Sequence, residues 1–430
     1  MLPAGVPELL PGGIQTITLW CAQLPTPISA LQCDNRSLWL QRDGKGYKKN
    51  VTRTDRCLKT IIIAACFVCL NTKGGRLLIR IFSPSVADAA NTNAQNLTVK
   101  EIVSRLSPQE FHVTMIAIHG PLDPRLAARP NTCFLRWRAH GNTLHTLLHT
   151  LIRVPDIYFY PRETRIEDGF LFFRRVLKLQ TALVTHVVMC LEGYEPSRTL
   201  VRTIREADAV AGVSRRVTEI LSQKYAIVGR TIYDGVDTRF FHCRNRPASQ
   251  IDCQELTVLY AGSFQRRKRV DLVIQEAAKW PAVNFRLAGC GAELEMCRTL
   301  AAKLGCTNVW FLGHVSSEQL GREMRAADVF LFPSILEGHP QVLGQAAASG
   351  LPAIAMRVYR PDYVVDGVSG FLCNSDAEVS ERLGTLLQSA ELRQSMSVAA
   401  SKHSRRFDWD VIVREWETVF EEVMARRSGP

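Results

Sequence analysis

The sequence has no apolar segment long enough to cross a membrane. Its most apolar run, residues 60–70 (TIIIAACFVCL), is eleven residues long, whereas a membrane-spanning helix takes about 20 residues. A secretory signal has an apolar core of this length, but that core would not normally lie sixty residues from the start. The run therefore predicts a buried strand or hairpin rather than a transmembrane or targeting segment.

The sequence also lacks the regular cysteine spacing of a disulfide-rich or zinc-binding protein. It has 13 cysteines, an odd and scattered set, and Cys190, Cys290 and Cys373 lie among apolar residues. This usage is typical of a reduced cytosolic protein. Cys66 and Cys69 have the spacing of half a zinc site, but neither a second CxxC pair nor a nearby histidine pair accompanies them. We therefore predict no metal at this position.

No zinc module, aromatic RNA-binding signature or helix-turn-helix is recognisable, although the chain is basic. The net charge is +12 and the pI is about 9.2, with the charges spread along the chain apart from local runs such as RRKR at 266–269. This excess of positive charge favours anionic partners, namely nucleotide phosphates, acidic lipid headgroups or nucleic acid. Without a nucleic-acid motif, we expect nucleotide phosphates or an anionic membrane surface as partners, and no nucleic acid.

What the sequence does contain is a regular alternation of strands and helices. Residues 1–75, rich in proline and glycine and then in basic residues, predict a poorly ordered or atypical extension without a sustained helix. The alternation runs over 76–245, restarts over 255–408 after a polar stretch, and is followed by an amphipathic helix within 409–430. Strands alternating with helices indicate βαβ units and parallel sheets. We therefore predict an α/β fold with two domains and a cleft between them, where ligand sites are common.

The individual elements follow from short apolar runs separated by amphipathic segments. Strands are predicted at 77–83, 111–119, 132–137, 156–159, 182–188 and 209–213, and then at 257–261, 284–288, 309–311, 329–332 and after Pro352. Helices are predicted at 97–106, 142–152, 168–179, 197–206, 270–279, 292–304, 318–326, 341–349 and 409–424.

The segment 328–356 (DVFLFPSILEGHPQVLGQAAASGLPAIAM) is the most informative part of the chain. An apolar strand leads to Glu337, and a helix of small residues begins near Gln341. In open α/β sheets, ligands bind at the carboxyl ends of strands, and a helix N-terminus there offers free N–H groups to a phosphate. Glu337 either caps this helix or binds sugar hydroxyls, and its place among other strand-end loops favours the sugar. Polar Gln345 interrupts the small apolar helix eight residues later.

A basic loop follows the first strand of the second half. Gly262 ends that strand, and Lys268 comes six residues later, directly after Arg266 and Arg267. A glycine lets a ligand approach the backbone closely, and the basic side chains could neutralise a diphosphate. The alternative interpretation is a solvated basic loop.

Two more loops follow the next two strands, GCG at 289–291 and FLGHV at 311–315. The backbone of the second loop could pair with the edge of a base. Both loops also fit ordinary turn chemistry, and neither is specific by itself.

These features occur together with a series of motifs in a known order. The motifs are EADAVAGVS (206–214), YDGVDTRFF (233–241), the Gly262 and Lys268 loop, EGHPQVLGQAAASGLP (337–352), DGVSGFL (366–372) and FDW (407–409). In this order and spacing, residues 205–425 resemble the family-4 retaining glycosyltransferases. The resemblance implies the GT-B fold, in which two Rossmann-like domains face each other across a cleft. The acceptor domain would span 76–245, the donor domain 255–408, and the helix within 409–430 would cross back to the first domain.

The resemblance also implies roles for individual residues. Glu337 would hold the donor sugar, Lys268 would bind the diphosphate, and Gln345 stands where the family has a second glutamate that binds the ribose hydroxyls. His186, in LVTHVVM near a strand end, stands where the family often has a histidine facing the cleft, with a structural histidine as the alternative. The implied catalytic residues are thus Glu337, His186 and Lys268. The implied donor-binding residues are Gly262, Ser263, Arg267, Lys268, Gly289, Gly291, His314, Val315, Glu337, Gly338, His339, Pro340, Gln341 and Gln345.

Three features depart from the family pattern. Gln345 keeps hydrogen-bonding capacity without charge, and it can donate as well as accept. Ser263 replaces an arginine that commonly precedes the lysine, a place that Arg266 or Arg267 could fill. The first domain has ANTNAQN at 90–96 instead of a Gly-Gly loop, and these side chains either bind an acceptor or serve as turn and N-cap residues.

The resemblance therefore implies a retaining hexosyltransferase. It would move a hexose from a UDP- or GDP-linked sugar to a hydroxyl of a glycan, a lipid-linked substrate or a small molecule, without a metal or other cofactor. We expect a cytoplasmic location, with a peripheral contact to an anionic membrane as an option. The rival hypothesis, motivated by Gln345 and Ser263, is a catalytically impaired GT-B protein that binds nucleotide sugars or regulates an active transferase.

Overall fold

The computed structural model describes residues 30–33, 37–42, 45–50, 78–90, 94–118, 120–137, 142–161, 164–188, 196–243 and 255–428. The chain divides into two compact units, Met1–Leu77 and Leu78–Pro430. In the first unit, β1 (Ala30–Cys33), β2 (Ser37–Arg42) and β3 (Lys45–Asn50) form an antiparallel sheet in that order. The apolar run 60–70, the Cys66 and Cys69 pair, Cys190 and the polar stretch 244–254 lie outside the described residues.

The second unit begins with a seven-stranded parallel sheet. Its strands are β4 (Ile79–Val86), β5 (Phe111–Ala117), β6 (Thr132–Arg136), β7 (Ile157–Phe159), β8 (Ala182–Val187), β9 (Ala209–Gly212) and β10 (Arg230–Thr231). They lie in the order β10-β9-β8-β7-β4-β5-β6. The helices between them are α1 (Ala94–Arg105), α2 (Pro124–Ala128), α3 (Asn142–Arg153), α4 (Arg165–Val176), α5 (Arg198–Glu206) and α6 (Arg215–Tyr225).

A six-stranded parallel sheet follows in the same unit. Its strands are β11 (Thr257–Ala261), β12 (Asn284–Ala288), β13 (Val309–Gly313), β14 (Val329–Phe332), β15 (Ala353–Met356) and β16 (Gly370–Cys373), in the order β13-β12-β11-β14-β15-β16. Its helices are α7 (Val270–Lys279), α8 (Leu294–Lys303), α9 (Ser317–Ala326), α10 (Gln341–Ala348), α11 (Asp376–Gln388) and α12 (Ala390–Ser404). The strand order reverses between β11 and β14, which is where open α/β sheets bind ligands.

The central strands form because their sequences are apolar on both faces. Every residue of β8, β14 and β15 is buried, as expected for parallel strands covered by helices on both sides. Side chains that can accept hydrogen bonds start the intervening helices, for example Ser214 before α6 and Thr164, which forms a capping box with Glu167 before α4. These caps satisfy N–H groups that the first helical turn leaves unbonded.

The last helix, α13 (Trp409–Ser428), packs against the seven-stranded sheet after the second sheet is complete. The rings of Trp416 and Phe420 each lie 5.0 Å from the ring of Phe159, and Arg427 pairs with Asp208 at 3.1 Å. The C-terminal helix therefore crosses back to the first domain, as predicted. Among the helices in the described ranges, none combines the length and apolarity needed to cross a bilayer.

The α/β prediction is confirmed, and several strands have the predicted bounds, including β11, β12 and β14. The structure adds elements that the sequence patterns did not predict, namely α2, α6, β10, β16, α11 and α12. The strands β10 and β16 lie at the edges of their parallel sheets, and each pairs with a single neighbour, β9 and β15 respectively. They form because that neighbour supplies their hydrogen bonds.

Candidate functional site

Three side chains converge on one oxygen of Glu337, at the point where the strand order reverses. The hydroxyl of Ser334 donates to Oε1 at 2.5 Å, Nη1 of Arg267 donates to it at 2.9 Å, and Nζ of Lys268 lies 2.5 Å from it. None of these contacts involves Oε2. Within the described ranges, one carboxylate oxygen of Glu337 thus has three partners, and these partners leave the other oxygen unengaged.

Lys268 is buried between this carboxylate and the ring of Phe332. Its Nζ lies 4.9 Å from the ring centroid, and the side chain is 11% exposed. Burial lowers the pKa of Lys268, and the negative charge of Glu337 opposes part of that change. The single 3-10 turn Arg266–Lys268 turns Lys268 inward and leaves Arg266 exposed, so Arg267 is the arginine that reaches Glu337. Two cations against one carboxylate leave a net positive charge beside the strand ends.

Glycines hold the neighbouring loops close together. A Cβ atom on Gly289 would lie 1.9 Å from the carbonyl oxygen of Gly262, and one on Gly291 would lie 2.4 Å from that of Phe264. The backbone N–H of Gly262 donates to Ala288 at 3.0 Å, which joins the ends of β11 and β12. Loop packing therefore explains why the GCG sequence needs both glycines, and their contact with a donor stays a prediction.

The N-terminus of α10 opens directly after Glu337. Pro340 precedes the helix and no side chain caps it, so N–H groups of the first turn remain for a ligand. Gln341 and Gln345 lie on one face of the helix and are both half-buried. Among the described residues, neither side-chain amide has a hydrogen-bond partner. Contacts of these two amides with a phosphate or a ribose stay predictions.

The imidazole of His339 packs inside the protein rather than lining an open site. It is 8% exposed and stacks on Tyr363 with the ring centroids 4.0 Å apart. Neither ring nitrogen has a hydrogen-bond partner. Burial, with a smaller effect of nearby His186, lowers the pKa of His339 to about 3. The side chain is therefore neutral at pH 7.

We expect His339→Phe to flatten the pH dependence of stability. In the folded protein the pKa of His339 is about 3, against the usual value of 6.5, so the unfolded chain binds more protons between these values. The stability that neutral His339 contributes is full above pH 6.5 and is lost as the pH falls toward 3. Between pH 7 and pH 4 the variant should lose about 2 to 3 kcal/mol less stability than the natural protein, as measured by urea unfolding. His145→Phe, at an exposed histidine, is the control, and an equal loss in all three proteins would contradict the expectation.

Other predicted donor-site residues lie along the same edge of the sheet. His314 is exposed directly after β13, which ends at Gly313 with a φ of 68°. Val315 packs against the core, and the backbone carbonyl of Ser263 accepts from the hydroxyl of Tyr260 at 3.2 Å. These positions suit contacts with a nucleotide, which remain predictions.

His186 lies in the core of the first domain. It is 3% exposed, and its Nε2 donates to the carbonyl of Ile232 at 3.1 Å. The rings of Tyr160 and Trp416 lie 5.5 and 5.1 Å away, and burial lowers the pKa of His186. The ring of His186 is therefore covered by Trp416 of α13 and shielded from solvent, and its role in a donor or acceptor site stays a prediction.

Two residues of the site, Ser334 and Ser214, were not predicted from the sequence as site residues. Ser334 precedes Glu337 by three residues in a tight loop, and this spacing could have indicated a hydrogen bond between the two side chains. Ser214 donates from Oγ to the carbonyl of Gly338 at 3.3 Å, a contact between distant parts of the chain that no local pattern reveals. Within the described ranges, no group of three or more His, Cys, Asp or Glu is placed to hold a metal ion.

A cavity of about 840 Å³ opens beside the loop that carries Arg267. Ligand pockets commonly have about this volume. Arg267 connects the cavity to the site, because Nη1 donates both to Glu337 and to the carbonyl of Leu336, at 2.9 and 2.6 Å. The cavity is lined by Gln265, Arg266, Arg267, Arg269, Val270, Asp271, Glu293, Met296, Cys297 and Ile335.

Comparison with protein families gives a match over the region that holds this site. Residues 243–403 match the family described as Glycosyl transferases group 1. The matched region contains Lys268, Glu337 and Gln345 and nearly all of the six-stranded sheet. The relationship to group 1 glycosyltransferases therefore rests on the residues around the candidate site.

Two curated relatives match over less than half of the chain. The chain is 29% identical over 168 residues to an uncharacterized glycosyltransferase of Methanocaldococcus jannaschii, covering 38% of this chain and 48% of that protein. It is 30% identical over 215 residues to the D-inositol 3-phosphate glycosyltransferase of Mycolicibacterium smegmatis, covering 46% of this chain and 49% of that protein. The chain thus spans about half the length of the curated relatives it matches.

Solved structures resemble a larger part of the chain. Sucrose-phosphate synthase from Thermosynechococcus elongatus superimposes with a TM-score of 0.65 at 19% identity, covering 81% of this chain and 99% of that one. Anabaena HepE in complex with UDP and glucose has a TM-score of 0.65 at 16% identity, covering 80% of this chain and 100% of that one. At these identities the likeness concerns the fold, and together with the two parallel sheets it shows that this chain has the GT-B fold.

Proposed function

We propose that the chain is a glycosyltransferase that moves a sugar from a nucleotide diphosphate to a hydroxyl acceptor. The observation that carries this proposal is the cluster of Glu337, Lys268 and Arg267 where the strand order reverses. A carboxylate with one free oxygen suits sugar hydroxyls, and the surplus positive charge suits a diphosphate. The match to group 1 glycosyl transferases over the same residues supports it.

The finer proposal is a retaining hexosyltransferase that works without a metal. Departure of a nucleoside diphosphate develops negative charge, and Lys268 and the open N-terminus of α10 would stabilise that charge. Oε2 of Glu337 would accept from a sugar hydroxyl, and Gln345 would bind the ribose by donating as well as accepting. The family resemblance supports retention of configuration and a hexose donor. The complex of HepE with UDP and glucose supports a UDP-linked sugar as the first donor to test.

The direct test is a thermal-shift screen with UDP- and GDP-linked hexoses. A ligand that binds only the folded protein raises the melting temperature, and the rise grows with the logarithm of the ligand concentration relative to its Kd. We expect at least one nucleotide sugar to stabilise the protein and to release its nucleoside diphosphate when a panel of hydroxyl acceptors is added. No stabilisation by any nucleotide sugar, combined with no release of diphosphate, would overturn the proposal.

We also propose a peripheral contact between the first domain and an anionic membrane. Four large apolar side chains on the packed pair α3 and α4, and Leu177 directly after α4, are 46 to 61% exposed; the four are Leu144, Leu148, Phe172 and Val176. The exposed basic residues Arg153, Arg175 and Lys178 lie on or next to the same helices. Exposed apolar side chains bordered by cations suit the interface of an acidic bilayer.

Vesicle flotation tests this contact. The protein should float with phosphatidylserine-containing vesicles at low salt and much less with neutral vesicles, because exposed charges are screened as salt rises. Replacing Leu148 and Phe172 with glutamine should reduce flotation at least severalfold. No flotation with acidic vesicles at low salt, or equal flotation of the double variant, would count against the membrane contact.

A further inference from the structure

The loop that carries Glu337 is in direct contact with the first domain. Residues on both sides of this contact form what we call the seam. On the first-domain side the seam contains Ser214, Arg215, Tyr233 and Asp234, and on the second-domain side it contains Gly338, His339, Asp362 and Tyr363. Both domains lie in the compact unit Leu78–Pro430. The position of the Glu337 loop therefore depends on the first domain as well as on its own sheet.

The hydroxyl of Ser214 serves two contacts at once. It accepts from the backbone N–H of Val217 at 3.3 Å, which caps α6, and it donates to the carbonyl of Gly338 at 3.3 Å. Gly338 is the residue after Glu337. Because the cap already orients the hydroxyl oxygen, its proton points toward the second domain at little entropic cost. Ser214 thus ties the start of α6 to the backbone next to the donor carboxylate.

Aromatic side chains support the same loop from the side. His339 lies between Tyr363, whose ring centroid is 4.0 Å away, and first-domain Tyr233, whose ring centroid is 5.3 Å away. The hydroxyl of Tyr363 donates to the backbone carbonyl of Asp234 at 2.8 Å. All four residues are buried, so water does not compete with these contacts while the domains are together. Separating the domains would remove the ring of Tyr233 from one side of the His339 imidazole.

Ion pairs border the buried part of the seam. The backbone N–H and Nε of Arg215 each contact the Asp362 carboxylate at 3.1 Å, and Arg360 pairs with Glu219 at 2.7 Å. The Arg215 side chain is 61% exposed and both partners of the second pair are about half exposed. Exposed pairs contribute little to stability. The buried hydroxyl and ring contacts, rather than the ion pairs, therefore hold the two sides of the seam together.

We propose that Ser214 is a positioning residue that, with the ring of Tyr233 beside it, holds the Glu337 loop in place from across the seam. The proposal rests on the proposed function, because Glu337 is the donor-sugar ligand in that function. Binding of the diphosphate would use Lys268 and α10, which belong wholly to the second domain. Alignment of the sugar would need the first domain, because the backbone of Gly338 is held from there.

The test replaces Ser214 with glycine, which is nearly as good an N-cap and has no hydroxyl to donate. We expect kcat/KM for the nucleotide sugar to fall about fivefold, mostly through kcat, which is the size of effect that losing one hydrogen bond gives. Affinity for the free nucleoside diphosphate should change by less than about twofold, since those contacts do not cross the seam. Ser214→Thr should restore activity. Ser375→Gly, at the N-cap of α11, is the matched control and should leave activity unchanged.

Hydrogen exchange of the unliganded protein gives a second readout that needs no substrate. Amides in peptides covering 333–345 should exchange several times faster in Ser214→Gly than in the natural protein or in Ser375→Gly. If the natural protein neither binds nor turns over nucleotide sugars, the proposed function fails while the exchange experiment still reports on the seam. Equal exchange in all three proteins, or an equal drop in kcat/KM for both glycine variants, would overturn the positioning role of Ser214.

Discussion

Glu337→Gln is expected to lower turnover of the nucleotide sugar by about a hundredfold while the protein still binds the nucleoside diphosphate. The glutamine amide has the shape of the carboxylate, and its oxygen can still accept from Ser334 and Lys268. Its nitrogen would replace the free Oε2, and a donor then faces the sugar hydroxyl where an acceptor is needed. The negative charge near the developing cationic sugar is lost as well. Steady-state kinetics with the donor identified by thermal shift measure the effect.

The same substitution should make the fold less stable by about 1 to 3 kcal/mol, because Arg267 and Lys268 lose the charge that pairs with them. Glu318→Gln is the matched control, since Glu318 pairs with Arg322 at 2.9 Å but is 66% exposed. That control should change neither turnover nor stability by much. Turnover of Glu337→Gln within about twofold of the natural protein would show that Glu337 does not contact the donor sugar.

Lys268→Met is expected to weaken nucleoside diphosphate binding and to lower turnover by about two to three orders of magnitude. Methionine keeps much of the side-chain volume over Phe332 but removes the buried cation. Glu337 keeps Arg267 and Ser334 as partners, so the loop should stay folded. Calorimetric titration with UDP and steady-state kinetics measure the two effects. Lys303→Met, at an exposed lysine of α8, is the control and should resemble the natural protein.

The pH dependence of turnover and of stability distinguishes a charge-stabilising role of Lys268 from a purely structural one. Burial lowers its pKa below the usual 10.5, so the cation is lost at a lower pH than for an exposed lysine. Turnover should therefore fall on the alkaline side as the pH rises through this lowered pKa. The contribution to stability has the opposite sign, because the unfolded chain binds more protons between the lowered pKa and 10.5, and stability rises with pH in that window. Activity and stability that fall together there would contradict the assignment.

Much of the fold could be predicted from the sequence because parallel strands buried on both faces are short continuous apolar runs. The bounds of β11 and β14 agree with the predicted ones for this reason. The edge strand β16 was not predicted, because only its pairing with β15 marks its four residues as a strand. Its place in the sheet depends on a strand that lies elsewhere in the sequence.

The candidate site, like the fold, could be predicted only in part from the sequence. The positions of Glu337 and Lys268 after strands that lead to one sheet edge follow from the alternation of strands and helices. Which of Arg266 and Arg267 reaches Glu337 stayed open, because the answer depends on the 3-10 turn at 266–268. For His186 the sequence left a cleft-facing and a structural histidine open, because the exposure of a strand-end residue depends on α13, which begins more than two hundred residues later.

The sequence by itself determined the α/β class, the two successive sheets and the set of polar residues at the strand ends. Each of these follows from composition and spacing within a few residues, where burial and hydrogen bonding act locally. Only the tertiary structure decided that Glu337 receives Ser334, Arg267 and Lys268 on a single oxygen, and that Ser214 holds the next residue from the other domain. Charges and hydroxyls act over a few ångströms, so their partners depend on how distant segments pack.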